Sequence, residues 1–176
     1  MTGCGGQAAS SSGEADRVAN NGPAGGAAAV SAGHGSTTPT GTPLYTRLIT
    51  SSAVGGTGQA LTAMLAGATY RSATGVWVGC EGTAATAVYR LSGDFAKLTG
   101  LLGLQPHTPA DLQVRVSIVV DGGTRLSVVL TRNGQPQSIS IPVADARILT
   151  VSALATVGQC APAAAPYGAI GAASLT

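Results

Sequence analysis

Residues 112–130 read LQVRVSIVVDGGTRLSVVL, two alternating arms about an Asp-Gly-Gly turn. Val114, Val116, Ile118 and Val120 fall on one side of an extended chain, and Arg115 and Ser117 on the other. After Asp121-Gly122-Gly123, Leu126, Val128 and Leu130 alternate with Arg125, Ser127 and Val129. A period of two on both arms is the pattern of half-buried strands, and Asp-Gly or Gly-Gly supplies the positive φ of a tight hairpin turn. One face of such a hairpin must be covered, so the neighbouring sequence has to provide further strands.

It does so at intervals of eight to twelve residues. Downstream, Arg132-Asn133-Gly134 signals a second turn before Ile139, Ile141 and Val143, again at period two. Asp145-Ala146 turns the chain into Arg147 to Leu154, and Tyr167 to Leu175 forms a last strand. Upstream, Thr86 to Leu91 alternates, and Thr69 to Val78 carries Tyr70 and the only tryptophan, Trp77. Gln59 to Leu65 reads as a strand or one helical turn, and Pro43 to Ile49 as the first strand. Phe95 to Leu104 fits a helical period through Phe95, Leu98, Leu101 and Leu102. Its two glycines and the lack of a cap favour a strand. About nine short strands without a helix make an all-β sandwich or barrel.

Charged residues are 9% of the chain and aromatics 3%, while glycine numbers 26 among 176 residues, so the core is built from Ala, Val and Leu. The net charge of +2 comes from nine basic residues without a cluster. Nucleic-acid binding needs a basic stripe with stacking aromatics, and the sequence offers neither. The uncharged windows, residues 48–70 and 148–176, are interrupted by Gly, Pro, Ser, Thr and Gln, and neither is a membrane span.

Residues 1–42 are low-complexity Gly, Ala, Ser and Thr, and cannot bury enough apolar surface to offset the entropy of ordering them; they are expected to form a disordered tether ahead of a domain at 43–176. His34 within them is read as solvated. At the start, Thr2-Gly3-Cys4-Gly5-Gly6 resembles the end of a bacterial lipobox, although the apolar region that would precede it is absent. Two readings of Cys4 stand, an acylated anchor and an incidental free thiol. With Cys4 set aside, Cys80 and Cys160 remain as a pair, either two buried thiols or a disulfide. Their Gly-, Ala- and Pro-rich surroundings favour the bond, as does the need of a small-residue core for a staple. A zinc site would need two more ligands.

From Tyr45 to Thr176 the chain resembles the NPCBM family, the novel putative carbohydrate-binding modules of bacterial envelope proteins and glycosidases. The resemblance is carried by Leu44-Tyr45-Thr46-Arg47-Leu48, Tyr70 with Gly75-Val76-Trp77-Val78, and Tyr89 to Phe95 running on to Gly103-Leu104. Val119-Val120-Asp121-Gly122 and Ala144 to Val151 complete it, in the right order. It implies a jelly-roll β-sandwich similar to galactose-binding-like domains, with ligand contacts in the loops at one end. Two departures bear on that site. Many members carry a His where this chain has Gly79-Cys80, and an Asp/His/Trp-rich loop where it has Ala163 to Ala169. Sugar binding uses an aromatic platform and planar polar groups, and near the matching loops these are Trp77, Tyr70, Tyr167 and Glu81.

Catalysis would call for an activated nucleophile, a metal cluster or paired carboxylates. Apart from Glu14 and Asp16 in the low-complexity segment, the seven acids, from Glu14 to Asp145, include no local pair and no metal-ligand spacing, and there is no Gly-x-Ser-x-Gly elbow. Gly56-Thr57-Gly58 lacks the Lys and the context of a phosphate loop. His107, alone in a proline-flanked loop, reads as solvent-facing. The expected protein is a non-catalytic, extracytoplasmic module without cofactor or metal, secreted or held at a membrane only through a lipid on Cys4. It binds a glycan or another small polar ligand. The competing expectation is a structural or protein-interaction sandwich that has lost the sugar site.

Overall fold

A computed structural model describes residues 36–52 and 56–176 and shows two antiparallel sheets packed as a sandwich. The strands in chain order are β1 (Thr42–Pro43), β2 (Leu48–Ser51), β3 (Ala60–Leu65), β4 (Ala68–Val76), β5 (Ala85–Arg90), β6 (Lys97–Leu104), β7 (Gln113–Val120), β8 (Gly123–Thr131), β9 (Gln137–Pro142), β10 (Ile148–Val157) and β11 (Gly168–Leu175). One sheet runs β3-β4-β11-β6-β9, with β1 also pairing β11; the other runs β2-β5-β10-β7-β8. The expected jelly-roll β-sandwich is therefore the observed class. The expectations for residues 1–35, among them acylation of Cys4 and the role of His34, lie outside the described residues.

The central hairpin is β7–β8. Val114, Val116, Ile118 and Val120 are all buried, and Asp121 and Gly122 take φ of 46° and 81° between the paired Val120 and Gly123. Positive φ at both central residues is the two-residue turn whose twist matches its strands. The Asp121 carboxylate also accepts the backbone N–H groups of Ile148 (2.9 Å) and Arg147 (3.1 Å), which fastens the start of β10 to this turn. Those two N–H bonds, Ile148 first, hold the Asp121 carboxyl below the usual carboxylate range. A folded value below the unfolded one stabilises the protein above about pH 4 and is lost as pH falls through the folded value. Asp121→Asn keeps a residue suited to positive φ, so in thermal melts the variant should fall short of the parent at pH 6 and converge with it towards pH 2.5.

Among the described residues eleven strands form where about nine were expected, and one of the extra boundaries has a clear cause. Pro43 to Ile49, expected as one strand, is split by a 3-10 turn at Leu44–Arg47. Before the turn β1 pairs β11 in one sheet, and after it β2 pairs β5 in the other. The chain changes sheets here around the fully buried Leu44, with the Thr46 hydroxyl donating to the Pro43 carbonyl at 2.6 Å. Phe95 to Leu104 resolves as a strand from Lys97, and residues 59–65 as β3. The C-terminal strand β11 lies in the middle of its sheet, between β4 and β6.

Most buried side chains form one core between the sheets, from Leu44 to Leu175. A second, smaller cluster comprises Ala63, Leu65, Tyr70, Ala73 and Ala169. Its central ring, Tyr70, lies over Gly171, where an added Cβ would come within 2.6 Å of the ring. The φ of 80° at Gly67 turns the β3–β4 hairpin that brings Leu65 and Tyr70 into this cluster.

Candidate functional site

The site begins where β4 ends. The loop before β3 is laid along this end: Gly58 N–H donates to the Gly75 carbonyl and Gly75 N–H to the Gln59 carbonyl, both at 2.8 Å. Thr57, 2% exposed, accepts the Trp77 N–H on its hydroxyl at 3.1 Å. Gly58 permits this approach, since a Cβ there would meet the side chains of Leu48, Tyr89 and Ala87. Burial beneath this loop raises the Tyr89 phenol far above its ordinary pKa.

Two residues on, the chain docks on β10. Gly79 N–H donates to the Ala153 carbonyl at 3.0 Å and the Gly79 carbonyl accepts Ala155 N–H at 2.9 Å, a parallel bridge where the strand pairs of the described residues are antiparallel. A side chain at Gly79 would run into the Thr83 carbonyl. Gly82, at φ of 78°, then reverses the chain and leaves Glu81 and Thr83 exposed on the turn.

The facing wall follows β10. Gly158, at φ of 88°, packs against the Asp111 carbonyl, and Gln159 N–H donates to the Asp111 carboxylate at 3.1 Å. Cys160 is then bonded to Cys80, with their Cα atoms 5.2 Å apart. The disulfide is thus the favoured sequence reading realised, and it joins the two loops.

Tyr167 closes this wall from the core side. It is 8% exposed, and its hydroxyl donates to the Ala161 carbonyl at 2.8 Å. Its backbone carbonyl accepts Gln105 N–H at 2.7 Å and the Thr108 hydroxyl at 3.3 Å, while the Gln105 side-chain amide donates to the Pro166 carbonyl at 2.7 Å. Gln105 and Thr108 are buried positioning residues that sequence reasoning missed. A glutamine next to a proline in a polar loop carries no sign of burial; only its partners some 60 residues away reveal it. His107 between them is exposed, its ring 5.6 Å from that of Tyr167.

Between the two loops lies a cleft of about 590 Å³. Half-buried Trp77 and the edge of Tyr167 line it, together with Val78 to Glu81, Thr83 to Ala85, Cys160 to Ala163 and Ser52. Three of the four sequence candidates, Trp77, Glu81 and Tyr167, therefore meet in one place. Tyr70 does not. It is 6% exposed in the second cluster and forms no part of the lining, because Gly171, a hundred residues further along, provides the slot that takes its ring. Trp77 is the available flat surface, since the Tyr167 ring is largely sunk in the core and its hydroxyl is engaged. Among the described residues no three metal-ligating side chains cluster.

Comparison with known proteins bears on both fold and site. Residues 35–161 match the family model described as the NPCBM/NEW2 domain. No curated protein matches the sequence. Among solved structures, CBM51-2 in complex with GlcNAc and INT domains from Clostridium perfringens ZmpB superposes with a TM-score of 0.56 at 13% identity, covering 76% of this chain and 31% of that one. CBM51-2 and INT domains of the same protein, in a second structure, give 0.53 at 12% identity over 73% of this chain and 30% of that one. CBM51 from Clostridium perfringens GH95, in complex with methyl-galactose, gives 0.48 at 17% identity over 68% of this chain and 81% of that one. This chain spans less than a third of the two ZmpB chains, and likeness at these identities establishes the shared sandwich.

Proposed function

The chain belongs to the NPCBM/NEW2 domain family, and from that premise we propose that it is a non-catalytic module that binds a carbohydrate in the cleft between its disulfide-tied loops. The observation that carries the reading is that half-buried Trp77 lines that cleft together with Ala and Pro residues of both loops. A sugar ring has one face of C–H groups that stacks on an aromatic and an edge of hydroxyls that needs donors and acceptors. Trp77 offers the first; Glu81, Thr83, Ser52 and the loop backbone offer the second. Its volume lies within the range of small-molecule sites, and its walls are covalently joined, so little ordering entropy is lost on binding. The neighbours solved with GlcNAc and with methyl-galactose bind those sugars; here a hexose of that size is the ligand class proposed.

A direct test uses the only tryptophan as reporter. Titration with hexoses should change Trp77 emission saturably, and in calorimetry Trp77→Ala should weaken binding by about 1–3 kcal/mol, the scale of an aromatic's buried area. A screen of hexoses and hexosamines that leaves the emission unchanged would contradict the proposal.

The disulfide and the family point to an extracytoplasmic setting. Among the described residues no helix is long and apolar enough to cross a membrane. Thr42, expected to end the tether, pairs with Leu175 in the sandwich, and we further propose that the residues ahead of β1 act as a tether, with acylated Cys4 as its anchor. Mass spectrometry of the membrane-associated protein should then find a lipid on Cys4, and an unmodified thiol there would contradict it.

A further inference from the structure

We propose that the cleft selects sugars carrying a free amino group, an inference that rests on the carbohydrate reading above. Of the described residues lining the cleft, Glu81 alone is charged at neutral pH. No Lys, Arg or His joins it there, and the adjoining residues 53–55 are Ala-Val-Gly. Apart from Ser52 and Thr83, the side chains around it are Trp77, Tyr167, the disulfide and a run of Val, Ala and Pro.

Each sugar class fares differently against such a wall. A uronic or sialic acid would bring its carboxylate beside Glu81 with no cation to receive it, and desolvating an unpaired charge against apolar surface is costly. Neutral hexoses use the stacking surface and can donate a hydroxyl to the Glu81 carboxylate, but they gain no charge–charge attraction from it. A hexosamine, protonated like other amines of its kind below about pH 7.7, can set its ammonium against Glu81. Its ring can meanwhile lie on the Trp77 face, whose negative quadrupole also attracts a cation. Glu81 is exposed at the lip, on the turn made by Gly82, so the carboxylate is hydrated and its effect is one of selection rather than of bulk affinity.

The test is calorimetry on the full chain at about pH 6, where a hexosamine is protonated. Galactosamine and glucosamine would be compared with galactose and glucose, their N-acetyl forms, galacturonate, and the ring-less amine ethanolamine. The expected result is binding of the hexosamines about three- to tenfold tighter than of the parent hexoses, the scale of one exposed ion pair plus a cation–π contact. Galacturonate should bind weakest of the sugars. Glu81→Gln should bring the ratio of amino to neutral affinity close to one, with an unchanged melting temperature to show that the variant folds.

Equal affinities for hexosamine and hexose would overturn this inference and leave the carbohydrate reading standing. So would a preference that survives Glu81→Gln, or ethanolamine binding as tightly as the hexosamines. Failure of every sugar to bind would remove both.

Discussion

Gly79→Val should cost roughly 3 kcal/mol or more of stability, the scale of forced overpacking against backbone, and should abolish the cleft along with it. No rotamer relieves the clash, because the obstacle is the carbonyl of Thr83 and the clash begins at Cβ. Moving Gly79 away would break its two backbone hydrogen bonds to β10, at Ala153 and Ala155. Moving Thr83 away would open the Glu81–Thr83 turn on the cleft's lip. Even Gly79→Ala meets the same carbonyl. Denaturant titration measures the loss; a Gly79→Val protein as stable as the parent would show that the loop does not dock as described.

Reducing the Cys80–Cys160 bond, or replacing both residues by serine, should lower stability by about 4 kcal/mol in the chain-entropy account of a loop this long. For a domain of this size that corresponds to a fall in Tm of roughly 10–15 °C. The loop closed spans 80 residues, and the bond sits in the cleft wall itself. The two consequences are therefore separable. The sandwich should remain folded at 20 °C because its strands have their own core, while sugar affinity should fall, since the two walls are then joined only through the sheets. Melting curves with and without reductant check the first, and titrations of the reduced protein at 20 °C check the second.

Features that depend on local pattern were legible in the sequence. The β7–β8 hairpin follows from alternation plus Asp121-Gly122, and both the strands and the turn are found where those residues place them. The Cys80–Cys160 pairing rests on loop composition, which is also local. Features that depend on meetings between distant residues were not. Pro43 to Ile49 reads as one strand, but nothing in those seven residues says that the chain will change sheets at Leu44. Tyr70 has the right chemistry for a sugar platform; its burial is decided by the absence of a side chain at Gly171. Gln105 and Thr108, which hold Tyr167 in place, look like loop polar residues until their partners at 166 and 167 are known. Trp77 is half-buried because it follows the last residue of β4 and lines the cleft.

A sugar seated in the cleft would be located by mapping the amide and indole NMR shifts of the labelled protein during titration with hexoses and hexosamines. The expected result is a set of saturable shifts confined to the Trp77 indole, residues 79–85 and residues 160–167, absent from the β7–β8 turn at Asp121 and from Tyr70. Shifts centred elsewhere on the sandwich, or none with any sugar at concentrations of about 10 mM, above the weakest affinities expected of specific binding, would contradict it.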